Sequence, residues 1–354
     1  MNVLIGSAND LCISLEDICE FYEKNWNRKI ALSNSDFSNW QFNANPENNG
    51  NGCCVALEGD KIVAVMGLTE RSFLLDGKVL KGAELTTWIV QDGKRNLGLG
   101  PKMIDFLQDR YQALSGMGIT EQALPIYLRK GFKFVKSIPR FIKVVNNTVV
   151  KKYGQTSPLA IKLNKLKKSD TDYIILDFDV DTVNHIYTKF CKDNNLFIRN
   201  FNWLSWRYSE HPSFDYKCVV IGKGIYKCVL VYRVDYLSDM TIMHCTDIFG
   251  DSEAYLSALS YLESIAVNQN IDIIDFYSTN TSVNAHFIYQ GWFPTLDFDF
   301  FDFPHLFHPI EIRKPTTTSL VLWCKEQTPS FYDVGKMYIT KQDCDFDRPT
   351  LNNL

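Results

Sequence analysis

A chain of 354 residues is long for one domain and comfortable for two, and its 24 Phe, 17 Tyr and 7 Trp can fill a large core. The net charge of −4, without a basic block, argues against a nucleic-acid binder, because such proteins neutralise phosphates with Lys and Arg. The ten cysteines include no C-x-x-C pair and no Cys/His group with zinc spacing, so we expect free thiols and no metal site.

The first residues, MNVLIGSANDLCISLEDICEFYEKNW, lack the basic segment followed by an apolar stretch that is typical of a signal peptide. No uninterrupted apolar run approaches the roughly 18 residues that a membrane-spanning helix needs. We therefore expect a soluble, cytoplasmic protein with no membrane span.

The first part of the chain is predicted to hold helices and strands in α/β order. Residues 15–26 have apolar side chains at helical spacing, and a polar loop of turn-forming residues follows at 43–52. Residues 53–90 are predicted to form three strands, separated by the hairpin turns EGDK and LDGK. A glycine loop (91–100), a helix, a short strand, a second helix and further strands follow. This order predicts a mixed sheet with one strand–loop–helix–strand crossover.

A second pass of the same elements begins after a lysine-rich stretch at 151–170, which we interpret as a linker. One spacing supports a repeat. Thr120-x-x-Ala123-x-x-x-Tyr127-x-x-x-Gly131-Phe132 recurs as Asn280-x-x-Val283-x-x-x-Phe287-x-x-x-Gly291-Trp292. We therefore predict one domain at 1–150 and another at 171–354.

The glycine loop lies between a predicted strand and a predicted helix, in the run QDGKRNLGLGPK. Free N–H groups and the helix dipole attract an anion there, and glycine lets the backbone come close to it. Pro101 suits the first helical turn, and Arg95 and Lys102 add positive charge. The alternative is a turn that merely tolerates glycine. The loop is neither a P-loop nor a dinucleotide fingerprint, since no G-K-[ST] follows and Met103 stands where a third glycine would be.

The wider pattern resembles a known family. The run Arg95-Asn96-Leu97-Gly98-Leu99-Gly100 resembles the R/Q-x-x-G-x-G/A pyrophosphate loop of the GNAT superfamily of acyl-CoA N-acyltransferases. Residues 123–132 resemble the A-x-x-x-Y-x-x-x-G-F segment of that family, although Thr120 stands where many members carry Asn. The resemblance covers roughly residues 1–150.

The second half keeps the element order but offers one glycine, in DIFGDSEAYL, and replaces the tyrosine with Phe287. We interpret it as a degenerate GNAT domain that no longer binds CoA, so that the fold class is α/β with two tandem GNAT-like domains. Paired GNAT domains of this kind resemble sugar-modifying N-acyltransferases and peptidoglycan-bridge aminoacyltransferases.

The resemblance implies that an amine attacks an acyl-CoA thioester directly. The backbone of 95–100, with Lys102 beside it, would bind the diphosphate. The pantetheine arm would pair with the strand at Thr87–Val90, and the N–H near Ile89 would face the thioester oxygen.

Three side chains are candidates for proton transfer. Glu84 lies in an otherwise uncharged strand, where apolar neighbours should raise the pKa of its carboxyl toward neutrality and suit it as a base; alternatively it faces solvent. Asp92 is a second candidate base, although its place in QDGK favours a role in the turn. Tyr127 is the candidate acid, with packing as the alternative.

The acceptor side has weaker signals. Trp206, Arg207 and Tyr208 could stack on a base and pair with a diphosphate, or could belong to the core. His305 and His308 are a weak metal signal, because two histidines in such a stretch are more often loop residues than ligands. The acidic run QDCDFDRP could contact sugar hydroxyls or could be a solvated end.

Our hypothesis is an N-acyltransferase that moves an acyl group from acyl-CoA to a small amine acceptor, with a nucleotide-linked amino sugar as the first candidate. One alternative is a bridge-type aminoacyltransferase, although the acidic balance and the retained loop argue against a tRNA-borne donor. Another alternative is a non-catalytic module that binds acyl-CoA or a nucleotide sugar.

Overall fold

The computed structural model describes residues 3–50, 52–156, 170–237, 239–295, 301–304, 306–307, 310–311, 317–344 and 348–349. The chain divides into two compact units. Unit 1 holds Met1–Lys136, Ser319–Pro329 and Cys344–Leu354, and unit 2 holds Ser137–Thr318 and Ser330–Asp343. These units differ from the predicted domain bounds, since residues 137–150 lie in unit 2 and two later segments return to unit 1.

The strands of the described residues are β1 (Val3–Ser7), β2 (Cys53–Glu58), β3 (Lys61–Leu75), β4 (Lys78–Val90), β5 (Ala113–Met117), β6 (Lys133–Val135), β7 (Arg140–Val144), β8 (Gln155–Thr156), β9 (Ile174–Leu176), β10 (Asn195–Phe197), β11 (Tyr216–Lys223), β12 (Tyr226–Tyr236), β13 (Thr241–Gly250), β14 (Ile273–Tyr277), β15 (Phe293–Pro294), β16 (Phe301–Asp302), β17 (Leu306–Phe307), β18 (Ile310–Glu311), β19 (Leu320–Cys324) and β20 (Met337–Tyr338).

The helices are α1 (Leu15–Asn25), α2 (Ser35–Phe42), α3 (Leu99–Arg110), α4 (Leu124–Arg129), α5 (Asn147–Val150), α6 (Val180–Phe190), α7 (Phe201–Leu204), α8 (Tyr255–Asn268) and α9 (Thr281–Tyr289). Short 3₁₀ turns lie at Ala31–Ser33, Arg95–Leu97, Ser252–Ala254, Pro329–Tyr332 and Lys341–Asp343, and a π-helical turn lies at Ser205–Ser209.

Unit 1 is built on a mostly antiparallel sheet of order β1-β2-β3-β4-β5-β19-β6. β4 and β5 run parallel because α3 connects them, which confirms the predicted crossover. Side chains alternate across the sheet, so each face packs on its own helices. On one face, α1 and α2 cover β2 and β3 with a core that includes Phe21, Phe37 and Val55. On the other face, α3 and α4 pack against Ala56 and Leu85.

Unit 2 has a sheet of order β9-β11-β12-β13-β14-β7-β15. Its strand directions match those of unit 1 position by position, with β13 and β14 as the parallel pair. β7 takes in unit 2 the place that β19 takes in unit 1, between the second strand of the parallel pair and the edge strand. Each of these two strands therefore comes from the half of the sequence that mostly builds the other sheet.

The repeated sequence motif has the same geometry in both units. Gly131 (φ +78°) and Gly291 (φ +85°) follow α4 and α9 in the left-handed conformation that glycine adopts without a steric penalty. The next N–H reaches back in each case to the carbonyl of the motif aromatic, Phe132 to Tyr127 (3.1 Å) and Trp292 to Phe287 (2.9 Å). Both helices thus end in the same hydrogen-bonded glycine cap.

The centre of the unit 2 sheet holds a buried network of charged side chains. Arg140 donates to Asp275 Oδ2 through Nε (3.1 Å) and Nη2 (2.8 Å), and His244 Nδ1 lies 2.5 Å from Asp275 Oδ1. Burial alone would raise the pKa of the Asp275 carboxyl, but the charges of His244, Lys341 and Arg140 outweigh burial and lower it. Asp275 therefore stabilises unit 2 as a carboxylate.

We predict that Asp275→Asn lowers the free energy of unfolding at pH 7 by about 3 kcal/mol, because it leaves buried positive charge uncompensated. Because the pKa of Asp275 is lowered in the folded state, its contribution to the free energy of unfolding is complete above the pKa of an unfolded aspartate, about 3.9. This contribution is lost as the pH falls below that value toward the pKa of the folded state. Urea unfolding of wild type and variant should therefore converge below about pH 4. Asp105→Asn, at an exposed pair with Lys130, is the control and should cost less than about 1 kcal/mol. An equal loss for both variants would contradict the prediction.

Candidate active site

The parallel pair β4–β5 separates part-way along its length. Residues Gly82–Glu84 of β4 pair with Ala113–Ser115 of β5, and the pairing of the two strands ends there. Among the described residues, no strand pairs with β4 from Leu85 to Val90 on this edge. Unpaired amides and carbonyls at a strand edge can accept another extended chain. β4 thus presents an open edge that begins at Glu84 and leads to the glycine loop.

A β-bulge interrupts β4 at the start of this edge. The register with β3 shifts between Gly67, which pairs with Thr86, and Val65, which pairs with Ile89. Thr87 lies within the bulge at φ +42°, an uncommon conformation for a β-branched residue.

The bulge changes which side chains face which helices. Ala83 and Leu85 before it, and Trp88 and Val90 after it, all pack in the core beneath α3 and α4. The alternation therefore shifts by one residue, which leaves Glu84 on the opposite face of the sheet.

The direction of the amides along the open edge follows from one hydrogen bond. Gln91 donates its N–H to the Val63 carbonyl on β3 (2.9 Å). Successive amides of a strand point to opposite edges, so the Ile89 N–H also points to β3. The Trp88 and Val90 amides point to the open edge instead. The Ile89 amide therefore faces β3, and the amides nearest to it that face the open edge are those of its two neighbours.

The glycine loop begins as a 3₁₀ turn and continues into α3. Gly98 has φ +66°, and a Cβ at this position would have no heavy atom within 4 Å. A Cβ at Gly100 would lie 2.7 Å from the Trp88 ring and 2.9 Å from Ile126. The two glycines therefore differ: Gly98 permits a left-handed turn beside open space, and Gly100 permits the packing of Trp88 on α3.

Charged side chains surround the loop on its exposed side. Arg95 pairs with Asp92 at 3.0 Å, and the Asp92 side chain is 93% exposed. This exposure favours the turn role of Asp92 over a role as base. Lys94 Nζ lies 2.5 Å from Glu58 Oε2. The remaining predicted loop residues are exposed except for a core leucine: Asn96, Leu97 and Lys102 are exposed, and Leu99 is buried.

Glu84 is buried, with 5% of its surface exposed, and so does not face solvent. Arg71 on β3 places Nη1 3.8 Å from Glu84 Oε2. Burial favours the neutral acid, whereas a guanidinium favours the carboxylate, so the two effects oppose each other. Ser115 lies opposite Glu84 in the parallel register, and its buried hydroxyl has no hydrogen-bond partner among the described residues. Glu84, the candidate base, and the Ser115 hydroxyl thus lie in register at the last residue pair before β4 and β5 separate.

Tyr127 lies on the other face of the sheet, next to the glycine loop. Its ring packs edge-to-face on Trp88 (5.8 Å between centroids) and on Phe132 (5.0 Å). Burial raises the pKa of the Tyr127 hydroxyl, which therefore keeps its proton near neutral pH. Trp88 connects the helix motif to the loop, because the same ring contacts Tyr127 and Gly100.

In unit 2 the corresponding edge is occupied. Residues Ile242–His244 of β13 pair with Ile273–Asp275 of β14, and the pairing then ends, as it does between β4 and β5 in unit 1. Beyond that point the Tyr338 hydroxyl accepts the Ile248 N–H (3.2 Å) and donates to Asp247 Oδ1 (2.7 Å). The adjoining segment holds the end of β14, since Thr340 forms a bridge to Ser278. The chain itself therefore fills this cleft.

The end of β13 also lacks room for a ligand. A Cβ at Gly250 would lie 2.5 Å from the Lys227 carbonyl, and the Tyr255 hydroxyl donates to the Gly250 carbonyl (3.1 Å). The end of β13 is therefore closely packed by residues of unit 2. Asp343, in the acidic run QDCDFDRP, is buried and paired with Arg199 at 2.5 Å, so the start of that run is not a solvated end.

The predicted acceptor residues lie in the core of unit 2. Trp206, Arg207 and Tyr208 are all buried, in the π-helical turn. The Trp206 ring packs on Trp203 and the Tyr208 ring on Tyr216, each with centroids 4.8 Å apart. These contacts favour the core interpretation, because stacking on a ligand needs an exposed ring face.

His305 and His308 lie outside the described residues. Within the described part of the chain, no group of three or more His, Cys, Asp or Glu side chains could hold a metal ion.

Sequence reasoning missed several residues that the fold brings to β4: Tyr22, Arg71, Trp88, Ser115 and Arg348. A signal for Trp88 was present. In GAELTTWIV the alternation at 83 and 85 stops at two threonines and an uninterrupted apolar run follows at 88–90, and this break indicates an irregular strand.

Comparison with known proteins identifies the fold. No protein-family model and no curated protein match the chain. Saccharomyces cerevisiae N-myristoyltransferase with bound myristoyl-CoA has a TM-score of 0.53 at 14% identity, over 93% of this chain and 80% of the other. A GCN5-related N-acetyltransferase from Anabaena variabilis has a TM-score of 0.59 at 9% identity, over 92% and 73%. A probable N-acyltransferase from Enterococcus faecalis has a TM-score of 0.58 at 8% identity, over 92% and 73%.

The chain shares the fold of these solved structures, among them an N-myristoyltransferase and a GCN5-related N-acetyltransferase. The similarity extends over both of its mostly antiparallel sheets, as the coverage shows. Every helix in the described part of the chain is too short or too polar to cross a membrane.

Proposed function

We propose that this protein is an acyl-CoA-dependent N-acyltransferase that binds its donor in unit 1. The observation that carries the proposal is the open edge of β4, which runs from Glu84 to a glycine loop at the start of α3. In unit 2 the chain fills the equivalent edge with Tyr338. The tandem arrangement proposed here therefore has one donor site.

The donor would lie along β4 and across the start of α3. Amides of the loop and the positive end of the helix dipole suit a diphosphate. The residues proposed to bind it are Arg95, Asn96, Leu97, Gly98, Leu99, Gly100 and Lys102. The Trp88 and Val90 amides suit an extended amide-containing arm, which would pair as an added strand. Among the structural neighbours, the yeast N-myristoyltransferase holds myristoyl-CoA, which supports an acyl-CoA donor.

The proposed chemistry uses the two faces of the sheet. The acceptor amine attacks the thioester carbon, so a C–N bond forms and the C–S bond breaks. Glu84, on the face of α1 and α2, takes the proton from the amine nitrogen. Tyr127, on the face of α3 and α4, gives its proton to the departing thiolate. The proposal requires both side chains to approach one reacting centre at the split between β4 and β5.

The acceptor is proposed to be the amine of a small molecule, with a nucleotide-linked amino sugar as the first candidate. This candidate rests on the sequence resemblance to paired GNAT domains, since the predicted aromatic acceptor residues are buried. A bridge-type aminoacyltransferase and a non-catalytic binding module are the alternatives.

We predict that Gly98→Val weakens CoA binding at least tenfold, because β-branched atoms would occupy the space in which the diphosphate contacts the backbone. Isothermal calorimetry with CoA measures the change. Gly77→Val is the matched control, since Gly77 also has a left-handed φ (+76°) and open surroundings but lies in a hairpin turn. Equal CoA affinity in wild type and Gly98→Val would contradict the prediction.

We predict that Glu84→Gln and Tyr127→Phe retain CoA binding and lose turnover, by about 100-fold or more for Glu84→Gln. Both substitutions keep side-chain volume, and Tyr127→Phe keeps the ring contacts with Trp88. A free-thiol assay with acetyl-CoA and a panel of amino-sugar nucleotides and simpler amines measures turnover. Wild type that binds CoA but acylates no amine would support the binding module, and activity only with aminoacyl-tRNA would support the bridge-type enzyme.

A further inference from the structure

We propose that Arg348, near the C-terminus of the chain, is a positioning residue for the acyl-CoA arm. Arg348 belongs to the segment that returns to unit 1, and its Nη2 donates to Thr86 Oγ1 at 2.7 Å. Thr86 directly precedes the strained Thr87 of the β4 bulge. A guanidinium from the end of the sequence thus holds the point at which the open edge begins.

The bulge needs such contacts because its conformation is costly. A non-glycine residue in the left-handed region costs about 1–3 kcal/mol and persists only where its surroundings hold it. Tyr22 on α1 is fully buried, and its hydroxyl donates to the Thr87 carbonyl at 3.0 Å. Thr86 Oγ1 lies 3.3 Å from Thr87 Oγ1. α1 therefore holds the carbonyl of the bulge, and Arg348 holds the adjacent side chain.

The bulge in turn sets the geometry of the open edge. The shift of one residue turns the Trp88 and Val90 amides outward and places the Trp88 ring on Gly100. Without the Arg348 contact, the bulge would lose one of the side chains that hold it. The amides that pair with the pantetheine arm would then be less well aligned, because a hydrogen bond weakens steeply as its angle departs from linearity.

The inference rests on the proposed function but concerns a different part of the ligand. The nucleotide end of CoA would meet the glycine loop, which follows β4, whereas the pantetheine arm and acyl group would meet the edge next to the bulge. Loss of the Arg348 contact is therefore expected to affect the arm and to leave the nucleotide end unchanged.

The test compares acetyl-CoA with adenosine 3′,5′-bisphosphate, the nucleotide end alone, by calorimetry on the full chain. Arg348→Ala should weaken acetyl-CoA binding about tenfold, the effect expected for one charge-assisted hydrogen bond, and change bisphosphate affinity less than twofold. Arg348→Lys keeps a donor and should restore most of the affinity. Thr86→Val should reproduce the loss, and the double variant should lose no more than either single variant.

Arg110→Ala is the matched control, because Arg110 pairs with Asp10 at the far end of α3 and should change neither affinity. Melting temperatures of all variants show whether the fold is retained, and Thr86→Val provides the test if Arg348→Ala does not fold. Wild type that binds neither ligand would overturn the proposed function. Wild type that binds both, with Arg348→Ala and Thr86→Val changing both affinities equally or neither, would overturn the role of Arg348.

Discussion

One local irregularity of the backbone, the bulge at Thr86–Thr87, decides where each group of the candidate site lies. Before it, Glu84 faces the side of α1 and α2. After it, Trp88 packs toward α3 and α4. A strand of regular alternation could not place a candidate base on one face, a ring against the glycine loop on the other, and outward amides between them. The strain at Thr87 is therefore tied to the geometry of the site.

The two units differ less in fold than in how the cleft of the parallel pair is used. Both sheets have the same order and directions, and in both the parallel pair separates after three residue pairs. In unit 2 the Tyr338 hydroxyl bonds to the edge of β13, and Asp247 and Asp343 are buried around Arg199. Burial raises the pKa of Asp247, yet the paired guanidinium stabilises its carboxylate. Because these buried groups bond to one another, the protein's own side chains occupy the cleft of unit 2.

Much of the fold could be predicted from the sequence, because its signals are local. The hairpin turns, the strand-to-helix position of the glycine loop and the α3 crossover all depend on a few neighbouring residues, and the structure confirms them. The repeat between 120–132 and 280–292 likewise keeps its glycine caps.

The pairing of strands distant in sequence could not be predicted in this way. β7 and β19 are short strands whose partners are chosen by the sheet edge that each one meets, and the contact of Arg348 with Thr86 spans most of the chain. Whether a given side chain is exposed or buried could not be predicted from neighbouring residues either. Trp206 looks like a stacking residue until the surrounding core is seen, and the direction of the Ile89 amide depends on a bulge two residues earlier.

The central claim is that the open edge of β4 binds an extended arm of acyl-CoA. Amide hydrogen exchange with and without CoA tests it most directly, since exchange slows where an amide gains a hydrogen bond. The account predicts slower exchange at the Trp88 and Val90 amides and no change at Asp247–Gly250 on β13. Unchanged exchange at Trp88 and Val90 under saturating CoA, or protection on β13 instead, would contradict it.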